Sequence, residues 1–213
     1  VPTGNTSLDL EGKGVGVIGS GSSAIQIVPN ILPMVSKSTQ FVRSRFWITA
    51  GFAQKFAGKN GANFTYTEEQ LEIMRNDPEK YLAYRKNIAS DLSKGFRYVL
   101  RDSPEQQEFR AIAEQEMNQK LATKPEIAEK VGPQDFDIGC CRPSPGNGFL
   151  KALCDPKIEL VFSGIDDINE TGLRTKDGVH HDFDILVCAT PFDASWVPHF
   201  PLIGRDRKDL REE

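Results

Sequence analysis

Residues 14–29 read GVGVIGSGSSAIQIVP, and the six from Gly19 to Ala24 have the types and spacing of an anion-binding turn. Gly19-Ser20-Gly21-Ser22-Ser23-Ala24 is a G-x-G-x-x-A sequence. In such a turn the first glycine permits a tight exit from a strand. The second lets a pyrophosphate approach the backbone, and the small third residue lets helix pack on strand. Backbone N–H groups at the helix start then face the anion. Ser22 and Ser23 add hydroxyl donors. The motif is weak alone, but here an apolar run precedes it, a helical segment follows, and a second strand comes next.

The end of that second strand bears on the choice of nucleotide. An NAD site would carry Asp or Glu there, about 20 residues past the turn, to hold the ribose hydroxyls. This chain has Arg43, Ser44 and Arg45 instead, and no acid lies between Gly19 and Glu68. A planar, permanently charged guanidinium suits a 2′-phosphate, so the spacing favours NADPH over NADH.

Positioning these residues requires a βαβ unit. Lys13–Ile18 is predicted as a buried strand, Ser22 to about Pro33 as a helix containing Pro29, and Thr39–Val42 as a strand. From Thr67 to Val131 the signals turn helical and polar. Thr67 with Gln70 forms a capping box, and Asp77-Pro78 and Ser103-Pro104 each set an N-cap before a proline. Two stripes at helical spacing follow: Tyr81, Ile88 and Leu92, then Phe109, Ile112, Ala113, Met117 and Leu121. Both are predicted as core contacts. Strands return at Ile158–Phe162, Ile165–Ile168, Leu173–Thr175, Val179–Asp182 and Ile185–Ala189, with a hairpin turn at Asp177-Gly178. The expected fold class is α/β: a Rossmann-like three-layer NADP-binding domain with a helical insertion and a small β-meander. Its expected boundaries are 8–45 and 136–196 for the nucleotide domain, 46–135 for the insertion and 197–213 for a linker.

Composition narrows the function classes. The 213 residues carry a net charge of −4 with no basic block, which argues against sequence-independent nucleic-acid binding. No apolar run approaches the roughly 20 residues that span a bilayer. The opening residues show no secretory pattern, and a cytoplasmic location is expected. The start at Val1 reads as a cut. Cys140, Cys141, Cys154 and Cys188 lack zinc-site spacing and are expected as reduced thiols, with Cys188 in the core. His180 and His181 alternate along a strand and make no simple metal pair. Trp47 and Trp196 read as packing residues. His199 has no acid or nucleophile motif around it. Hydrolase and phosphate-loop ATPase motifs are absent.

Four segments occur in order: GKGVGVIGSGSSAIQIVP, FVRSRFWI, GCCRPSPGNGFLKAL and DILVCATPFDASW. Together they resemble the NADPH domain of class B flavoprotein monooxygenases, most closely the fungal Baeyer–Villiger-like members of secondary metabolism. The resemblance implies that Gly19, Ser20, Gly21, Ser22, Ser23 and Ala24 hold the NADPH pyrophosphate and that Arg43 and Ser44 hold the 2′-phosphate. It places Arg142 beside flavin and nicotinamide as the catalytic residue. Ala189, Thr190 and Asp193 fall on an A-T-G-F-D motif that links two nucleotide-binding domains. The implied cofactors are NADPH and FAD, and the implied substrate is a small ketone or another organic molecule.

The sequence departs from the family at Cys141, where relatives carry Arg or Lys, and at Pro191, which replaces the linker glycine. No Trp precedes Trp47, and an amino-terminal G-x-G-x-x-G for FAD is absent. The chain thus resembles the middle of an enzyme, with the FAD site largely outside it, on a separate FAD-binding half. The alternatives are a truncated relative that at most binds NADP, an N- or S-oxygenating flavin monooxygenase, and a helical interaction module over residues 67–131.

Overall fold

The computed structural model describes residues 8–51, 53–58, 63–140, 144–146, 148–191, 197, 200–209 and 211. Strand β1 (Gly14–Ile18) leads through the glycine turn into helix α1 (Ser22–Ile31), and β2 (Lys37–Phe41) follows. The helix carries Pro29 and stops at Ile31, before Pro33. A β3 pair of residues (Ile48–Thr49) opens the helical segment, which holds α2 (Glu68–Asn76), α3 (Pro78–Lys94), α4 (Pro104–Lys120) and α5 (Pro125–Val131). The return passes β4 (Ser144–Pro145), α6 (Phe149–Leu153), β5 (Ile158–Val161), β6 (Ile165–Ile168), β7 (Gly172–Thr175), β8 (His180–Asp182) and β9 (Ile185–Cys188). Strand β3 pairs in parallel with β4, so the chain leaves for the helical segment and comes back at one place.

Strands β5, β2, β1 and β9 form one parallel sheet in that order, the 3-2-1-4 arrangement of a Rossmann half. Alternation along β1 sorts its two faces. Val15 and Val17 are buried in the large core with Ala24, Ile25 and Val28 of α1 and with Phe149, Leu150 and Leu153 of α6. Ile18, Phe41 and Val161 instead pack with Leu173 of the antiparallel meander β6–β7–β8. Helices, parallel sheet and meander make the three layers. Gly16 lies on the meander face, where a Cβ would stand 2.7 Å from the Phe183 ring. At the predicted hairpin turn, Gly178 takes φ +85° and the Thr175 N–H reaches the Val179 carbonyl at 2.9 Å.

The helix starts follow local chemistry as predicted. Thr67 and Gln70 form a reciprocal capping box. Asp77 accepts from the Lys80 N–H at 3.0 Å and Ser103 from the Gln106 N–H at 3.1 Å. The two apolar stripes behave differently. Ala113 and Met117 of α4, and Leu121 just after it, enter the main core together with Ile127 and Val131 of α5, although Ile112 remains 48% exposed. The stripe on α3 does not reach the core: Tyr81 and Leu92 are exposed and Ile88 is only half-buried. The physical reason is position. Helix α3 packs on α2 and on the short 3₁₀ turn after it, and neither α2 nor α3 has a buried residue.

Cys188 is also corrected. It ends β9, an edge strand of the sheet, and is exposed rather than in the core. Cys140 and Cys154 are free thiols too, and Cys141 lies outside the described residues. Trp47 is buried, donates its indole N–H to the Phe136 carbonyl at 3.2 Å and lies under the Arg110 guanidinium. His180 is exposed and His181 half-buried, with His181 edge-on to Phe41. Among the described residues, no helix is long and apolar enough to cross a membrane, and no His, Cys, Asp or Glu cluster is arranged for a metal.

Candidate dinucleotide site

The candidate residues gather at the carboxyl ends of the parallel strands. Gly19 leaves β1 with φ +115°, a left-handed conformation that favours glycine. A Cβ there would stand 2.5 Å from the Ala189 carbonyl oxygen at the end of β9. The Gly19 N–H donates to the Phe41 carbonyl at 3.0 Å, and its carbonyl accepts from the Gln40 side-chain amide. One residue thus ties together the ends of β1, β2 and β9.

Gly21 is the N-cap of α1, with φ −82° and ψ −172°, a conformation open to any residue. Its lack of a side chain matters for space: a Cβ at Gly21 meets nothing within 4 Å. The helix start has no side-chain cap and no acid in its first turn. Its leading N–H groups therefore remain available to an external anion, favoured by the helix dipole. Ser22 and Ser23 are exposed beside it, while Ala24 is fully buried against the sheet. The Ser22 hydroxyl lies 3.4 Å from the Ser144 hydroxyl of β4. That contact brings the segment after Arg142 against the turn.

Arg43 and Ser44 follow the end of β2 and are both exposed. Arg43 makes no ion pair or hydrogen bond among the described residues. Arg45 differs: it is half-buried and donates to the Gly132 carbonyl at 3.0 Å, which makes it a tether to the end of α5. Ala189 is buried and Thr190 exposed at the end of β9. Arg142, Asp193, Trp196 and His199 lie outside the described residues.

Two hollows among the described residues share no residue with the turn. One of about 280 Å³ is lined by Phe64, Tyr66, Ile73, Tyr81 and Tyr84, and a polar one by Gln106, Arg110, Glu114 and Asp137. The turn is instead an open crest, between β1 and β9, where the strand order reverses direction. In open α/β sheets this is where ligands bind.

Sequence reasoning missed Gln40 and Ser144. For Gln40 a signal was present: Ser38-Thr39-Gln40 is a polar run in an inner strand, and all three are buried. Side-chain oxygens of Ser38 and Gln40 have no partner among the described residues.

This architecture defines a Rossmann-like α/β unit with its open helix start at the crest of the sheet. Among known proteins its homologues are named FAD-binding and Baeyer–Villiger monooxygenases, and the chain corresponds to a segment of them. It is 35% identical over 204 residues to the FAD-binding monooxygenase tazF of Aspergillus terreus, covering 95% of this chain and 36% of that protein. It is 27% identical to a Baeyer–Villiger monooxygenase of Streptomyces coelicolor, covering 96% of this chain and 37% of the relative. A solved steroid monooxygenase bound to NADP superposes with a TM-score of 0.67 at 29% identity, over 96% of this chain and 43% of that one. The chain therefore spans little more than a third of the length of these curated relatives. No family model matches it.

Proposed function

We propose that this chain is the NADPH-binding portion of an FAD-dependent, Baeyer–Villiger-type monooxygenase acting on a ketone of secondary metabolism. The observation that carries the reading is the acid-free, uncapped start of α1 at Gly21, with open space where a side chain would be, and exposed Arg43 at the end of the neighbouring strand. This donor set fits a phosphorylated dinucleotide. Residues Gly19 to Ala24 would hold the pyrophosphate through backbone N–H groups and the hydroxyls of Ser22 and Ser23. Arg43 and Ser44 would hold the 2′-phosphate, and Ala189, Thr190 and Asp193 would border the crevice on the β9 side. Arg142, two residues before Ser144, would stand toward the nicotinamide and the flavin. Bound NADPH supplies a hydride; the protein's part is to hold and orient it.

The same reading takes residues 8–45 and 136–196 as the nucleotide domain, 46–135 as its insertion and 197–213 as a linker. The β3–β4 pair supports it by bringing the chain back, at Ser144, beside the point where it left, at Ile48. The sequence carries one glycine turn, and its partner strand ends in Arg43, suited to a phosphorylated ribose. The seat of FAD is accordingly assigned outside these residues. The single turn also fits a relative that binds NADP and turns over nothing. Flavin-dependent NADPH oxidation on adding a separate FAD-binding half separates the two: it is expected of the NADPH-binding portion and not of the inactive relative.

The direct test is calorimetric titration of this chain with NADPH and with NADH. Saturable binding of NADPH, tighter than that of NADH, is expected. Equal affinity for the two would contradict the assignment of Arg43, and absence of binding would overturn the reading.

A further inference from the structure

The glycine turn is held from below by a side chain that the dinucleotide motif does not include. Gln40 lies within β2, opposite Val17 of β1 and Leu160 of β5, and is fully buried. Its side chain bonds the Gly19 carbonyl. A carbonyl only accepts, so the amide NH₂ must face it and the amide oxygen must point elsewhere. That oxygen is buried and has no partner among the described residues. A half-satisfied amide in an inner strand is destabilising compared with an apolar residue of similar volume. Such local conflicts between sequence and stability concentrate at functional sites.

The peptide plane supplies the function. Every described peptide bond is trans, so the Gly19 carbonyl and the Ser20 N–H point in opposite directions across one rigid plane. With the carbonyl drawn into the sheet by Gln40, the Ser20 N–H points out of it. That N–H donates to no acceptor among the described residues. The Gly19 N–H is fixed as well, on the Phe41 carbonyl. Both ends of Gly19 are thus anchored to β2, although glycine is the residue most free to turn its peptides.

We infer that Gln40 is a positioning residue for the dinucleotide turn: it locks the Gly19–Ser20 peptide so that the Ser20 N–H is aimed at the pyrophosphate before the ligand arrives. This rests on the NADPH reading above. It assigns Gln40 to the pyrophosphate shared by all such dinucleotides, whereas Arg43 serves the 2′-phosphate alone.

The experiment titrates NADP⁺, NAD⁺ and adenosine 2′-phosphate into the wild-type chain, Gln40→Met and Gln40→Glu, with melting curves for each. Methionine fills the space without a donor. Gln40→Met is expected to weaken NADP⁺ and NAD⁺ by the same factor, roughly tenfold for one mis-aimed donor. It should leave adenosine 2′-phosphate, which has no pyrophosphate, unchanged, and should not lower the melting temperature. In Gln40→Glu the carboxylate cannot donate to the Gly19 carbonyl, but its protonated form can. Its NAD⁺ affinity, relative to wild type, should therefore rise as pH falls; NAD⁺ is used because it lacks the titrating 2′-phosphate. Wild-type affinity for NADP⁺ in Gln40→Met overturns the inference alone. So does a loss that extends to adenosine 2′-phosphate with a lowered melting temperature, which marks a purely structural role. A wild-type chain that binds no dinucleotide overturns the NADPH reading, and the inference with it.

Discussion

Arg43 and Arg45 stand two residues apart and have different surroundings. Arg45 is half-buried on the Gly132 carbonyl, while Arg43 is exposed without a partner among the described residues. A charge-assisted hydrogen bond is typically worth about 1.5–3 kcal/mol. Arg43→Ala is therefore expected to weaken NADPH roughly 10- to 150-fold and barely change NADH, as read by titration. Arg45→Ala should instead lower the melting temperature and leave the ratio of the two affinities alone. The sequence, through its resemblance, put Arg43 and not Arg45 at the 2′-phosphate, but it gave no sign that Arg45 is a tether. Strand alternation ends with β2 at Phe41, and which guanidinium meets Gly132 depends on where α5 comes to rest, 87 residues away.

At the scale of elements, local chemistry was legible and burial was not. The caps at Thr67, Asp77 and Ser103 depend on residues three positions away, and each formed as its sequence predicts. The apolar stripes of α3 and α4 look alike in sequence, yet only α4 lies over the sheet-side core. That difference comes from packing with distant elements. The buried Gln106 shows what a well-placed helix start adds. Its side chain donates to the Ile138 carbonyl at 2.9 Å and accepts from the Asp102 N–H at 2.9 Å. Gln106→Ala strands both groups and should cost about 1–3 kcal/mol of stability in denaturant unfolding. Thr67→Ala, on exposed α2, should cost about 1 kcal/mol or less and fray that helix alone. Asp77 adds a pH dependence. Hydrogen bonds from Lys80 hold its carboxyl below the ordinary aspartate value. Its stabilisation of α3 is complete above that ordinary value and is lost as pH falls through the depressed one. Hydrogen exchange at the Lys80 amide should accelerate, relative to its intrinsic rate, over that acid range in wild type. A flat profile there would contradict the cap's role.

For the whole molecule, the βαβ unit could be read from adjacent residues, whereas the pairing of β1 with β9 could not. Val15 meets Ile185 across 170 positions, and only the assembled sheet brings Ala189 onto Gly19. That juxtaposition makes the crest at which the dinucleotide is proposed to bind. Productive hydride transfer requires the nicotinamide to lie against a flavin, and one glycine turn seats one dinucleotide. This chain, supplied with FAD and NADPH, is accordingly expected to consume no NADPH above background in an absorbance assay. Flavin-dependent oxidation that Arg142→Ala abolishes would contradict that expectation and assign a flavin seat to these residues.

The central claim, that the Gly19–Ala24 turn binds the pyrophosphate of NADPH, is tested most directly by Gly21→Val. The backbone at Gly21 suits any residue and its Cβ direction is empty, so valine fits the fold at no more than the small cost of a poorer N-cap. The claim predicts a folded chain with at most a slightly lowered melting temperature together with loss of calorimetric NADPH binding, because valine would fill the space the phosphates need. A folded Gly21→Val chain that binds NADPH as tightly as wild type would contradict it.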